Sequence, residues 1–137
     1  MCQKIKTERA FTFTRRKKIF FDRRAMSEKD IERKLKAKAE ARGWLCLKFE
    51  SPGFTGVPDR IILIPGGAVV FVELKAPGKK ERPRQRYVQD QFRSFGFTVV
   101  SSVDSNEAID WVLQICEIEE RQARVRELHT MEAEQEG

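Results

Sequence analysis

Residues 59–75 read DRIILIPGGAVVFVELK, and the organisation of the chain follows from this stretch. Two short runs rich in β-branched residues, Ile61 to Ile64 and Val69 to Leu74, flank Pro65-Gly66-Gly67-Ala68. A proline and paired glycines between two such runs predict a β-hairpin. The runs are apolar at successive positions rather than alternate ones, so both strands are expected to be central and covered on both faces. Charge appears only at their ends: Asp59 opens one strand, and Glu73 and Lys75 close the other.

Alternation along a strand puts Glu73 and Lys75 on one face with Val69 and Phe71, and Leu74 on the other. In an antiparallel hairpin, directly opposed residues have a constant sum of residue numbers. A sum of 132 or 134 sets Asp59 opposite Glu73 or Lys75 and on their face, whereas an odd sum sets it with Leu74. Two carboxylates meeting in an apolar setting repel each other, and burial penalises each. A hard divalent cation relieves both penalties. Mg²⁺ takes one or two carboxylates, waters and phosphate oxygens. The carbonyl of Leu74 offers a further oxygen, and Lys75 then faces the attacking water and the scissile phosphate. There it helps deprotonate the water or stabilises charge on the phosphate. A strand-end ion pair explains Glu73 and Lys75 alone, but not three charged residues converging directly after Gly56-Val57-Pro58.

Upstream of the hairpin, Ser27 to Gly43 reads as an amphipathic helix with Ile31, Leu35 and Ala39 inward, Ser27 and Asp30 forming a capping box. A strand is predicted over Leu45 to Phe49, then a loop over Glu50 to Pro58. Downstream, a basic loop from Ala76 to Pro83 leads into a helix over Arg84 to Phe95, stopped by Gly96. A strand over Phe97 to Val103 and a helix opened by Asp104 and Ser105 follow, with Ile109, Val112, Leu113 and Cys116 inward. The order is α-β-β-β-α-β-α, an α/β fold with a mixed sheet flanked by helices. Tyr87, Phe92, Phe95 and Trp111 read as core or helix-packing residues.

A chain of 137 residues has room for one domain with short tails. Residues 1–25 carry nine basic and two acidic side chains and show no clear period; they read as a basic arm or a product of start-codon choice. The domain is expected over 26–116, with a charged helical or disordered tail over 117–137. No apolar run is long enough to span a membrane and the first residues lack a secretory pattern, so cytoplasmic residence is expected. Three scattered cysteines fit neither a disulfide framework nor a zinc knuckle, and a lone His129 excludes two-histidine zinc sites. Nothing asks for a small-molecule cofactor. The net charge of +6 suits a polyanion such as nucleic acid. Lys79, Lys80, Arg82, Arg84 and Arg86 follow the acidic pair directly and read as phosphate contacts along a substrate groove, with lesser contributions from Lys48 and Arg60.

Gly56-Val57-Pro58-Asp59, then Glu73-Leu74-Lys75 after an apolar strand, then Gln85, resembles the VRR-NUC (virus-type replication-repair nuclease) family of the PD-(D/E)XK superfamily. The likeness spans roughly Glu28 to Val112. It implies a restriction-endonuclease-like core, dependence on Mg²⁺ or Mn²⁺, Asp59 and Glu73 as metal ligands and Lys75 as the catalytic lysine. It also implies that Glu32 (or failing it Glu28) is the acidic residue of the first helix and a further metal ligand, and that Gln85 bonds a metal water or Lys75. Stand-alone members act as homodimers on branched or structured DNA, Holliday junctions included. The leading expectation is a structure-selective endonuclease. A silent nucleic-acid-binding module on the same fold is the alternative, and RNA cleavage a weaker third.

Overall fold

The computed structural model describes residues 26–137; the expected arm over residues 1–25 lies outside them. The elements are α1 (Glu28–Ala41), β1 (Leu45–Lys48), β2 (Arg60–Ile64), β3 (Ala68–Leu74), α2 (Pro83–Ser94), β4 (Thr98–Val103) and α3 (Asn106–Glu136). This is the order expected from the sequence. The sheet runs β1-β2-β3-β4, with β1, β2 and β3 antiparallel in turn and β4 parallel to β3.

Local chemistry sets the element ends. Ser27 Oγ accepts from the Asp30 N–H at 3.2 Å and Asp30 Oδ2 accepts from the Ser27 N–H at 3.1 Å, closing the capping box of α1. Ser105 caps α3 in the same manner by accepting from the Ala108 N–H. At the hairpin turn, Gly66 has φ +90°, and a Cβ there would lie 3.0 Å from the Ala123 Cβ. Only glycine lets this turn rest against α3, so α3 packs on the body as far as Ala123. Residues 124–136 continue the helix in an exposed stretch.

Alternation sorts the sheet into two faces. Ile62, Ile64, Val70, Val72 and Leu74 point toward α1 and α3, joining Ile31, Leu35, Ile109 and Val112 in the main core. Phe71 points the other way and meets Phe49, Phe92 and Phe97 at centroid distances of 5.6, 4.9 and 5.7 Å. The expectation that both hairpin strands are covered on both faces holds for β3 but not for β2. One helix about 10 Å across covers roughly two strands spaced about 4.8 Å apart. Accordingly, α2 shields β3 and β4, while Leu45, Leu47 and Leu63 stay exposed on the β1–β2 half of that face. Tyr87, Phe95 and Trp111 are likewise exposed rather than core. Tyr87 lies across α2 from its inward stripe of Gln85, Val88, Gln89 and Phe92, and Trp111 lies across α3 from Ile109, Val112 and Cys116. Among the described residues, no helix is long and apolar enough to cross a membrane.

Candidate active site

The hairpin register decides whether the carboxylates meet. Arg60 pairs with Val72 and Ile61 with Phe71, so the opposed residues sum to 132 and the next pair along is Asp59 and Glu73. The even register brings the acids to one face, the α2 side of the sheet. Glu73 Oε2 accepts from the Asp59 N–H at 3.2 Å, and Asp59 Oδ2 accepts from the Leu74 N–H at 3.0 Å.

Lys75 and Gln85 complete the cluster. The Lys75 ammonium donates to Glu73 Oε1 at 3.0 Å and to Gln85 Oε1 at 3.0 Å. Gln85 Nε2 donates to Glu73 Oε1 at 2.7 Å, and Gln85 Oε1 also accepts from the Arg82 N–H at 3.0 Å. The amide orientation is chemically determined, since the carboxylate only accepts while the ammonium and the N–H only donate. Gln85 stands in the first turn of α2, where its bond to Arg82 also caps the helix.

Glu73 is 1% exposed. Burial pushes its carboxyl up to about 7; the Lys75 hydrogen bond opposes this, and the Asp59 charge adds to it. Glu73 also faces an irregularity in β4. Val72 pairs with Val100 and Leu74 with Val103, so Glu73 stands against both Ser101 and Ser102. Ser102 takes up the extra residue with φ +55°, and the Lys75 N–H donates to the Val103 carbonyl at 3.0 Å just beyond the bulge. Bulges bend a strand and re-aim neighbouring side chains, and they recur beside active sites.

The structure leaves Glu32 outside this cluster. Its carboxylate is ion-paired with Arg60. Arg60 opposes Val72 and so lies on the core face, opposite to Glu73. Glu28, the other acidic residue considered on this helix, is exposed in its first turn. Arg60 is 8% exposed, which removes it from any surface groove, and Lys48 is paired outward with Glu50 at 2.8 Å. Alternation from Asp59 carried the signal for Arg60: a charge in phase with Ile62 and Ile64 is a buried charge in need of a partner. Lys79, Lys80, Arg82 and Arg86 are exposed after β3. Arg84 instead turns its guanidinium over the Phe54 and Tyr87 rings and donates to the Thr55 carbonyl at 3.2 Å. Among the described residues, no three His, Cys, Asp or Glu side chains gather. The site is a carboxylate pair with one ammonium and one amide.

A protein of Acyrthosiphon pisum secondary endosymbiont phage 1, described as "Putative nuclease p44", is 39% identical over 77 residues, which make up 56% of this chain and 83% of that one. A solved structure described as "VRR_NUC domain" is similar with a TM-score of 0.60 and 28% identity, over 65% of this chain and 97% of that one. No family model matches the sequence. The phage relative is matched over most of its length and the solved domain over nearly all of its fold; the chain belongs to the VRR-NUC family of nucleases.

Proposed function

We propose that this chain is a Mg²⁺- or Mn²⁺-dependent endonuclease that hydrolyses phosphodiester bonds of branched DNA, four-way junctions included. One observation carries the reading: Asp59 and Glu73 face each other across β2 and β3 with Lys75 and Gln85 bonded to Glu73. Of the two carboxylates, Glu73 is 1% exposed and pushed up to about 7, and it alone is paired with the Lys75 ammonium. That donor set fits a hard divalent cation, which takes oxygen ligands and needs only one or two protein carboxylates. Asp59, Glu73 and the Leu74 carbonyl would hold it. When bound, such a cation acts as a Lewis acid toward a phosphate oxygen.

The chain's own residues supply the rest. The Lys75 ammonium, fixed by two acceptors and 14% exposed, offers a preorganised donor to charge developing on the phosphate. Gln85 holds Glu73 and Lys75 in their mutual orientation. Lys79, Lys80, Arg82 and Arg86 supply phosphate contacts that give affinity without sequence readout. A domain with one site cuts two strands symmetrically as a homodimer, and such a pair suits a junction with twofold symmetry. We place this activity in the cytoplasm, as expected from the sequence.

The test is cleavage of plasmid and four-way-junction DNA with Mg²⁺, Mn²⁺ or EDTA. Cleavage is expected with either cation and not with EDTA, and Asp59→Asn and Lys75→Ala are expected to lose it while retaining DNA binding. Binding without cleavage under any divalent ion would identify a silent binding module instead.

A further inference from the structure

Phe54 and Tyr87 are large rings held in solvent, 41% and 56% exposed, and neither belongs to the core. Between them stands Arg84, its guanidinium carbon 5.0 Å from the Phe54 ring centroid and 5.6 Å from that of Tyr87. Planar cation and rings within this range attract each other. The group is anchored as well as stacked. Arg84 Nε donates to the Thr55 carbonyl at 3.2 Å. Next to Thr55, Gly56 has φ +92°, and a Cβ there would come within 3.0 Å of Arg84 Cγ and 3.1 Å of both Arg84 O and Val88 Cγ2. The β1–β2 loop therefore lies directly on the first turns of α2.

The position of this stack is informative. Phe54 precedes Asp59 on the same loop, and Arg84 is the neighbour of Gln85, which touches Glu73. The first turn of α2 carries no acidic residue, and Arg82 and Arg86 are exposed beside it. A cationic, aromatic surface at the rim of a nuclease site matches a ligand with both a π-face and a phosphate. We propose that Phe54, Arg84 and Tyr87 form a stacking site for an unpaired nucleobase of the substrate, next to the phosphate to be cut. This rests on the DNA-cleaving reading of the Asp59–Glu73 site. A base inside a duplex has both faces covered by its neighbours, so the stack favours DNA that offers a free base at a junction centre, bulge or flap. Stacking of this kind tolerates any base identity.

The test uses the full chain in Ca²⁺ and a labelled duplex, perfect or carrying an unpaired 2-aminopurine bulge. The wild type is expected to prefer the bulged duplex and to quench the 2-aminopurine fluorescence on binding. Phe54→Ala and Tyr87→Ala are each expected to lower the bulged-to-perfect affinity ratio about tenfold, within the range of one base–aromatic stack. Tyr87→Phe, which keeps the ring, is expected to keep the ratio. No preference in the wild type, no quenching, or an unchanged ratio in both alanine variants overturns the site. Metal-dependent cleavage with no preference for the bulge overturns the stacking site alone. A ring-dependent preference without cleavage under any cation overturns the catalytic reading alone.

Discussion

Across the hairpin, Glu73 accepts from the Asp59 N–H at 3.2 Å while Asp59 accepts from the Leu74 N–H at 3.0 Å. Each acid thereby fixes the backbone that carries the other. The separation of the two carboxylates is set by the sheet ladder and not by a free loop, the kind of support that keeps a site within a few tenths of an ångström of its working geometry.

The first consequence concerns pH. Glu73 titrates near 7 in the folded chain against an ordinary value of 4.5. Between these values the folded protein holds a proton that the unfolded chain has lost. Stability from this group is therefore complete below about 4.5 and declines as pH rises through 7. The decline is on the order of 3 kcal/mol. Urea unfolding in EDTA at acidic and mildly alkaline pH is expected to show it in the wild type and to show a flatter profile in Glu73→Gln. Equal pH dependence in both proteins would exclude Glu73 as its source.

Glu32 tests the other face of the sheet. Arg60 is 8% exposed and its charge is answered by Glu32, whose side chain is 41% exposed. Glu32→Gln is expected to lower unfolding stability by about 1–2 kcal/mol, less than for a fully buried pair because solvent screens the carboxylate. Mn²⁺ affinity is expected to stay at the wild-type value. Unchanged stability with weakened Mn²⁺ binding would return Glu32 to the metal site, the role that the family resemblance implies.

The hairpin with its Asp59, Glu73 and Lys75 was legible in the sequence because period-two alternation and index sums are properties of a strand pair alone. The Ser27–Asp30 cap was legible for a similar reason: both partners lie within one turn. What escaped depends on which surfaces meet. The sequence showed Glu32 at the edge of an apolar stripe, but only packing of α1 on the core face reveals Arg60 as its partner. The bonds of Gln85 to Glu73 and Lys75 require α2 to be placed over β3, and only the family resemblance pointed to the one with Lys75. Nothing in Ser101-Ser102 announces a bulge. Tyr87 was recoverable, since the stripe of Gln85, Val88, Gln89 and Phe92 excludes it from the inward face.

Gly56 ties the loop before Asp59 to α2. Its φ of +92° disfavours any side chain, and an added methyl group meets Arg84 and Val88 at 3.0–3.1 Å. Gly56→Ala is expected to cost about 1–3 kcal/mol in unfolding stability. It is also expected to reduce cleavage at temperatures where the variant is fully folded, because the displaced loop carries Asp59. A stable variant with wild-type cleavage would show that the contact between this loop and α2 is dispensable.

The carboxylate pair itself is best tested by calorimetric titration of the full chain with Mn²⁺, in the wild type, Asp59→Asn and Glu73→Gln. The wild type is expected to bind, and each substitution to weaken binding at least about tenfold, equivalent to 1.4 kcal/mol or more for one lost ligand. Equal affinity in all three proteins, or no binding by the wild type, would contradict a divalent-cation site between these two acids.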